Sequence, residues 1–290
     1  MTIKQILLAL IVPGTWGLGF TLSKIGMFNF PPMMLMSMRF AIAAMILIWF
    51  TKPPWPYMKQ IFMISLIGAT IQYGFVYYGL KGLDASTAVI VVQLEAPFLA
   101  LMGTVLLKEK FGWKRAIGMA AAFVGVGVIA GEPRLEGNLI YVFLVAFAAL
   151  LWSFGQIMVR RLKQVQGVTL LAWVSVIASI QMMIASLLFE SGHQEALEAA
   201  TLLDWSIVVY LGVIMTAIGY SVWYHLVANC DVTLLSPFLM LTPVTAIIAG
   251  IFLLDEVFTT PMAIGSVMVL CGVGSTTINW KQIFAEKQQS

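Results

Sequence analysis

Arg39 and Glu95 are ionisable side chains set inside otherwise apolar stretches of this sequence. A charge at the centre of a bilayer costs at least about 2.5 kcal/mol on the insertion scale, so such groups mark ion or substrate pathways. Glu95 lies nine residues beyond Ser86, about 13 Å into its helix at 1.5 Å per residue, and Arg39 lies about 9 Å into another helix from the same side. Depths differing by only about 4 Å allow an ion pair. Three roles for Glu95 are therefore open: a proton carrier, a partner for an ammonium group, or a permanent mate of Arg39 that locks two helices together. On a continuous helix Asp84, Ala88, Val91, Glu95, Leu99 and Met102 form the stripe expected to face a cavity.

Aromatic residues recur one helical turn apart, at Trp16 and Phe20, Tyr73 and Tyr77, and Tyr220 and Tyr224; Trp152 and Gln156 share that spacing. A cavity walled by aromatic faces with a few polar tips suits amphipathic metabolites, whose ammonium groups can sit over the rings. Interfacial belting is the alternative for Trp and Tyr. It fits Trp55, Tyr57, Trp113, Trp205 and Trp280 at segment ends, whereas Trp16 and Trp152 stand well inside theirs. The expected substrate-binding set is Trp16, Phe20, Arg39, Tyr73, Tyr77, Glu95, Trp152, Gln156, Tyr220 and Tyr224, with Glu95 also the proton-coupling group.

The elements that must hold these residues follow from composition. Of 290 residues 61% are apolar and 10% charged, against roughly 25% charged in soluble proteins, and mean hydropathy is +0.96. This excludes a soluble enzyme, a nucleic-acid binder and a disordered chain. A helix needs about 20 mostly apolar residues to span a bilayer, and ten such segments are expected, near 3–25, 33–51, 60–80, 86–107, 114–131, 137–159, 168–189, 205–228, 232–254 and 261–279. The first resembles a signal peptide in its basic start, but it is long, lacks a small-residue cleavage site and leads into Pro31-Pro32 and another span.

Short cytoplasmic loops are enriched in Lys and Arg. With the N-terminus inside, twelve basic residues fall on the cytoplasmic side and three, Lys24, Lys81 and Arg134, on the other. Both termini are thus expected in the cytoplasm. Cys230 and Cys271 lack CxxC spacing and read as buried free thiols. No HExxH, GxSxG or GxxxxGK[ST] pattern occurs, so no catalytic residues, metal, cofactor or nucleotide-driven engine is expected.

The chain repeats itself. Tyr73, Tyr77, Asp84, Glu109, Ala116-Ile117-Gly118, Gly125 and Gly127 recur 147 residues later as Tyr220, Tyr224, Asp231, Glu256, Ala263-Ile264-Gly265, Gly272 and Gly274. Trp16, Gly19 and Lys24 recur 136 residues later as Trp152, Gly155 and Arg160. Five spans per half is an odd number, so the second half starts from the opposite side of the membrane. Inverted repeats characterise many secondary transporters, whose site lies near the midplane between halves.

This arrangement resembles the EamA family of the drug/metabolite transporter superfamily. The resemblance rests on Trp16-Gly17 with Phe20 and Lys24, Arg39-Phe40, Pro97 followed by Glu109, Gly118, Gly125 and Gly127, then Trp152, Pro243, Asp255-Glu256, Gly265 and Gly272. Met33 to Phe40 and the first helix look most like bacterial exporters of amino acids and related metabolites. Trp152-Ser153 departs from the pattern where the first half has Trp-Gly, and the resemblance assigns Glu95 no role.

The expected fold is an all-α integral membrane protein of ten transmembrane helices in two inverted five-helix repeats, 1–131 and 137–279, with 280–290 as a short cytoplasmic tail. The resemblance implies export of a small metabolite, an amino acid or derivative, across the bacterial cytoplasmic (inner) membrane; the inverted repeats point to alternating access, and Glu95 with the lack of a nucleotide-driven engine points to proton antiport as the coupling. An uncoupled facilitator is the alternative within transport; an intramembrane enzyme or receptor lacks its motifs or a sensing domain. The expected partners are the small molecule, protons and membrane lipid, with no nucleic acid, in a monomer or homodimer.

Overall fold

The computed structural model describes residues 3–108, 113–132, 138–230, 235 and 238–277. The expected tail at 280–290, Arg134, Trp280 and the acidic repeat residue Glu109 lie outside them. The described residues form helices and connecting turns, with no strand among them. Seven helices are long and apolar enough to cross a membrane: Ile3–Gly26, Pro32–Phe50, Trp55–Gly82, Ala85–Leu106, Leu139–Arg161, Gly167–Phe189 and Leu202–Val227. Three shorter apolar helices, Ala116–Ala130, Leu241–Leu254 and Thr260–Ser275, take the fifth, ninth and tenth places. The protein is thus a multi-pass membrane protein, and its helices are numbered below as the first to tenth spans. Large apolar side chains such as Trp49, Phe143, Leu187 and Phe252 are exposed on the perimeter, where lipid replaces water. Both cysteines are free; Cys230 is half-buried against the cluster of Ala9 and Leu226, whereas Cys271 is exposed, so its expected burial fails.

Three irregularities repeat between the halves. The third span contains a π-helical segment, Leu66–Ile71, and the eighth contains another, Tyr210–Ile218. The fourth span is broken at Gln93–Leu94, between Ala85–Val92 and Glu95–Leu107. Pro97 is the cause: it has no N–H to give the Gln93 carbonyl, which accepts instead from the Ala96 amide at 3.2 Å. In the ninth span a turn at Met240 precedes Leu241–Leu254, whose third residue is Pro243. Finally, Lys108 and Asp255, 147 residues apart, end the fourth and ninth spans in left-handed conformations with φ of 56° and 52°. Non-glycine residues rarely adopt that geometry.

The halves are inverted because repeat mates pack antiparallel. The fifth and tenth spans cross with Gly125 against Gly265 and Gly118 against Gly272, so each glycine meets the other half's version of its neighbour. Small residues let membrane helices approach to backbone contact. The second and seventh spans pair in the same way, with Ser37 Oγ donating to the Ser179 carbonyl at 2.7 Å.

Carboxylates from the second half cap helix starts in the first. Pro31 and Pro32 open the second span without needing amide partners, and the free amides of Met33 and Met34 donate to the Glu190 carboxylate at 2.9 and 3.2 Å. Glu256 does the same for the fourth span, accepting from the Ala85 amide at 2.5 Å and the Ser86 amide at 3.0 Å. Negative charge at a helix N-terminus is stabilising. Glu256→Ala is therefore expected to cost about 1–2 kcal/mol, read as a lower melting temperature of the purified protein; an unchanged melt would show the cap to be dispensable. At the same end the Lys24 ammonium donates to the Leu83 carbonyl. His193 Nε2 and Ser186 Oγ are hydrogen-bonded at 2.8 Å.

Candidate functional site

Arg39 is fully buried, at 0% exposure, in the second span. Its Nε donates to Thr216 Oγ1 at 2.7 Å, and its Nη1 donates to the Tyr77 hydroxyl at 3.3 Å and reaches Met36 Sδ at 3.8 Å. Both hydroxyl protons are committed elsewhere. Thr216 donates to the Leu211 carbonyl at 2.7 Å, five residues back in the π-helical segment. Ser23 gives its own proton to the Gly19 carbonyl at 2.6 Å, so in the 3.1 Å contact between Ser23 and Tyr77 the phenol is the donor. The guanidinium thus sees only oxygens turned toward it as acceptors.

Aromatic rings surround this group. The guanidinium carbon lies 5.3 Å from the Phe40 ring centroid and 5.1 Å from that of Tyr73, within the range of a favourable cation–π contact. Phe40 and Tyr77 pack on Tyr73 at 5.4 and 5.8 Å. The Tyr73 and Tyr220 hydroxyls meet at 3.3 Å, joining repeat mates across the interface between the halves. Tyr220 in turn packs against Trp16 at 4.7 Å and Tyr224 at 6.4 Å. Gly219 makes room for the indole, since a β-carbon there would lie 2.9 Å from Trp16 Nε1. Each π-helical segment ends just before its tyrosine, at Tyr73 and Tyr220. Such segments occur often at functional sites.

Trp16, Arg39, Tyr73, Tyr77, Tyr220 and Tyr224 therefore form one connected cluster on the first, second, third and eighth spans. Phe20 is half-buried against the adjoining core. The remaining expected residues stand elsewhere. Glu95 opens the second piece of the fourth span, where its carbonyl accepts from Ser153 Oγ at 2.8 Å. Trp152 and Gln156 are half-buried on the same sixth span as Ser153, and none of the ring contacts that build the tyrosine cluster includes Trp152. The Arg39–Glu95 ion pair that the helical depths allow does not form. Arg39 bonds Thr216, Tyr77 and Met36 instead. The stripe expected to face a cavity is interrupted: Ala88 and Val91 lie in the fully buried Ala85–Val92 piece and Glu95 lies beyond the Gln93–Leu94 break.

Two contributors were missed from sequence, Thr216 and Ser23. Thr216 lies one turn before Tyr220, so extending the Tyr220–Tyr224 stripe backwards would have found it. Nothing in the sequence singles out Ser23, which reaches Tyr77 only because the first and third spans meet at this depth.

The sequence model of the EamA-like transporter family matches residues 3–131 and 139–278. Among curated relatives, a "Probable amino-acid metabolite efflux pump" of Escherichia coli (strain K12) is 28% identical over 284 residues, covering 94% of each chain. An "Uncharacterized transporter" of Archaeoglobus fulgidus is 30% identical over 277 residues, covering 93% of this chain and 97% of its own. One solved crystal structure superposes over 100% of both chains with a TM-score of 0.67 at 18% identity, which shows a shared fold.

Proposed function

Because the chain belongs to the EamA-like transporter family, we propose that this membrane transporter exports a small metabolite, an amino acid or derivative, by alternating access coupled to proton antiport. The observation that carries the reading is the Tyr73–Tyr220 contact beside the buried Arg39: repeat mates of two inverted halves meet at one polar point, where rocking the halves opens and closes a shared site. The name of the E. coli relative, "Probable amino-acid metabolite efflux pump", supports the direction and substrate class. The repeats are taken as 1–131 and 137–279. The proposed location is a bacterial cytoplasmic membrane, and the distribution of Lys and Arg supports both termini in the cytoplasm. In that orientation the Glu190 and Glu256 caps and the Lys24 contact lie on the outer side and hold it closed.

The separation of Glu95 from the Arg39 cluster favours a second reading, an uncoupled facilitator. Transport by purified protein in proteoliposomes, with amino acids, their derivatives, purines and polyamines, with and without an imposed pH gradient, decides between them. Uphill movement only with the gradient supports antiport, equilibration that ignores it supports the facilitator, and no movement of any compound removes both. Thr216→Val should raise the substrate concentration for half-maximal transport roughly ten-fold, because it strands a buried Arg39 donor; wild-type kinetics would show that Thr216 does not position Arg39.

A further inference from the structure

The central cluster is rich in donors and poor in acceptors. Arg39 Nη2 and Trp16 Nε1 are both buried without a hydrogen-bond partner, and no ion pair joins Arg39 to a carboxylate among the described residues. A guanidinium stays charged under all physiological conditions, and a buried charge left without a counter-ion is costly.

The other half of the molecule shows that this charge is not needed for helix packing. Ser37-Met38-Arg39 on the second span has its mate in Ser179-Ile180-Gln181 on the seventh. Just as Arg39 reaches Thr216 in the π-helical segment of the eighth span, Gln181 Oε1 accepts from Thr70 at 2.7 Å in that of the third, and from Ser65 at 3.0 Å. A neutral amide thus makes the same cross-repeat strut. The positive charge at Arg39 is surplus to that task, and it is placed among the ring faces of Phe40 and Tyr73.

We infer that the Arg39 cluster selects a ligand that is a net anion, a carboxylate on an apolar or aromatic body, and that an α-ammonium group is dispensable for recognition. The carboxylate takes the guanidinium Nη2, and the body lies against Tyr73, Tyr220 and Tyr224. A monoanion neutralises the single buried cation. A zwitterion leaves the site with its positive charge, and its ammonium group finds no carboxylate in the cluster. N-acylated amino acids and hydroxy acids fit this description; free amines and amides do not. The inference rests on the reading of the cluster as the substrate site, and it narrows that reading to one charge class.

The test uses the purified full chain in lipid nanodiscs and two matched ligand series at neutral pH. One series is indole-3-lactate, N-acetyltryptophan, tryptophan and tryptophan amide; the other is 2-hydroxyisocaproate, N-acetylleucine, leucine and leucinamide. In at least one series the anions should raise the melting temperature at concentrations about ten-fold below those needed with the zwitterion, and the amides should have no effect. Arg39→Gln should abolish the difference, and Arg39→Lys should keep part of it. Equal response to amide and anion, no response to any anion, or an anion preference that survives Arg39→Gln overturns the inference. If Arg39→Gln does not fold, the series on the unaltered protein decides alone. Anion-selective stabilisation without transport in proteoliposomes would remove the transport reading and leave this one standing; transport without anion preference would do the reverse.

Discussion

Glu95→Gln is expected to abolish accumulation driven by a pH gradient while leaving counterflow of substrate intact. Among the described residues Glu95 is the carboxylate in the interior of a span; Asp204, Glu190 and Glu256 sit at span ends and are engaged with helix starts or turns. Its carboxylate makes no hydrogen bond or ion pair with any described residue, so it is not locked by a permanent partner. It stands at the Pro97 break, and hydration or a shift of that break during the transport cycle would change its exposure. Glutamine keeps the shape and removes the proton site, so folding should be unaffected. The measurement is substrate movement in proteoliposomes with and without the gradient, beside exchange at equal pH. Wild-type coupling in the variant would place proton translocation at another group, and loss of counterflow as well would make Glu95 part of substrate handling rather than of coupling alone.

Gly125→Leu should destroy the folded protein, whereas Gly127→Leu, two residues along the same helix, should be tolerated. A β-carbon at Gly125 would lie 2.7 Å from the Gly265 carbonyl oxygen and 2.9 Å from the Val269 amide nitrogen, both backbone atoms that cannot rotate away. At Gly127 a β-carbon meets nothing within 4 Å. Overpacking of this kind costs up to about 3 kcal/mol or more, concentrated on the pair of spans that joins the halves. Leucine at Gly127 faces the perimeter and gains helix propensity of under about 1 kcal/mol. Size-exclusion profiles and melts of the two variants, made in parallel, give the answer. A monodisperse Gly125→Leu protein with an unchanged melt would mean that the fifth and tenth spans can separate without loss of the fold.

The glycine pair also shows what could and could not be read in advance. Gly125 and Gly127 look alike in sequence, each recurring in the second half at the same interval, and only the crossing of the fifth and tenth spans separates an essential close approach from an open position. The tyrosines follow the same logic. Their spacing revealed a shared face on each helix, but that Tyr73 meets Tyr220, and that Arg39 lies among them rather than beside Glu95, depends on how the helices are kinked. Pro97 is visible as a residue; the change of phase it imposes on Glu95 is not, because residue spacing alone implies an unbroken helix. The π-helical segments that aim Thr216 at Arg39 have no signature in residue type or spacing.

Apolar run lengths and the internal repeat are enough to place the chain in a bilayer as two inverted sets of five helices. That follows because each span carries its own apolar length, satisfies its own backbone hydrogen bonds and repeats locally. Which polar groups share a site depends instead on how the helices pack. Those pairings join residues as much as 177 positions apart, and they are set by helix breaks, glycine crossings and the pseudo-twofold relation between the halves.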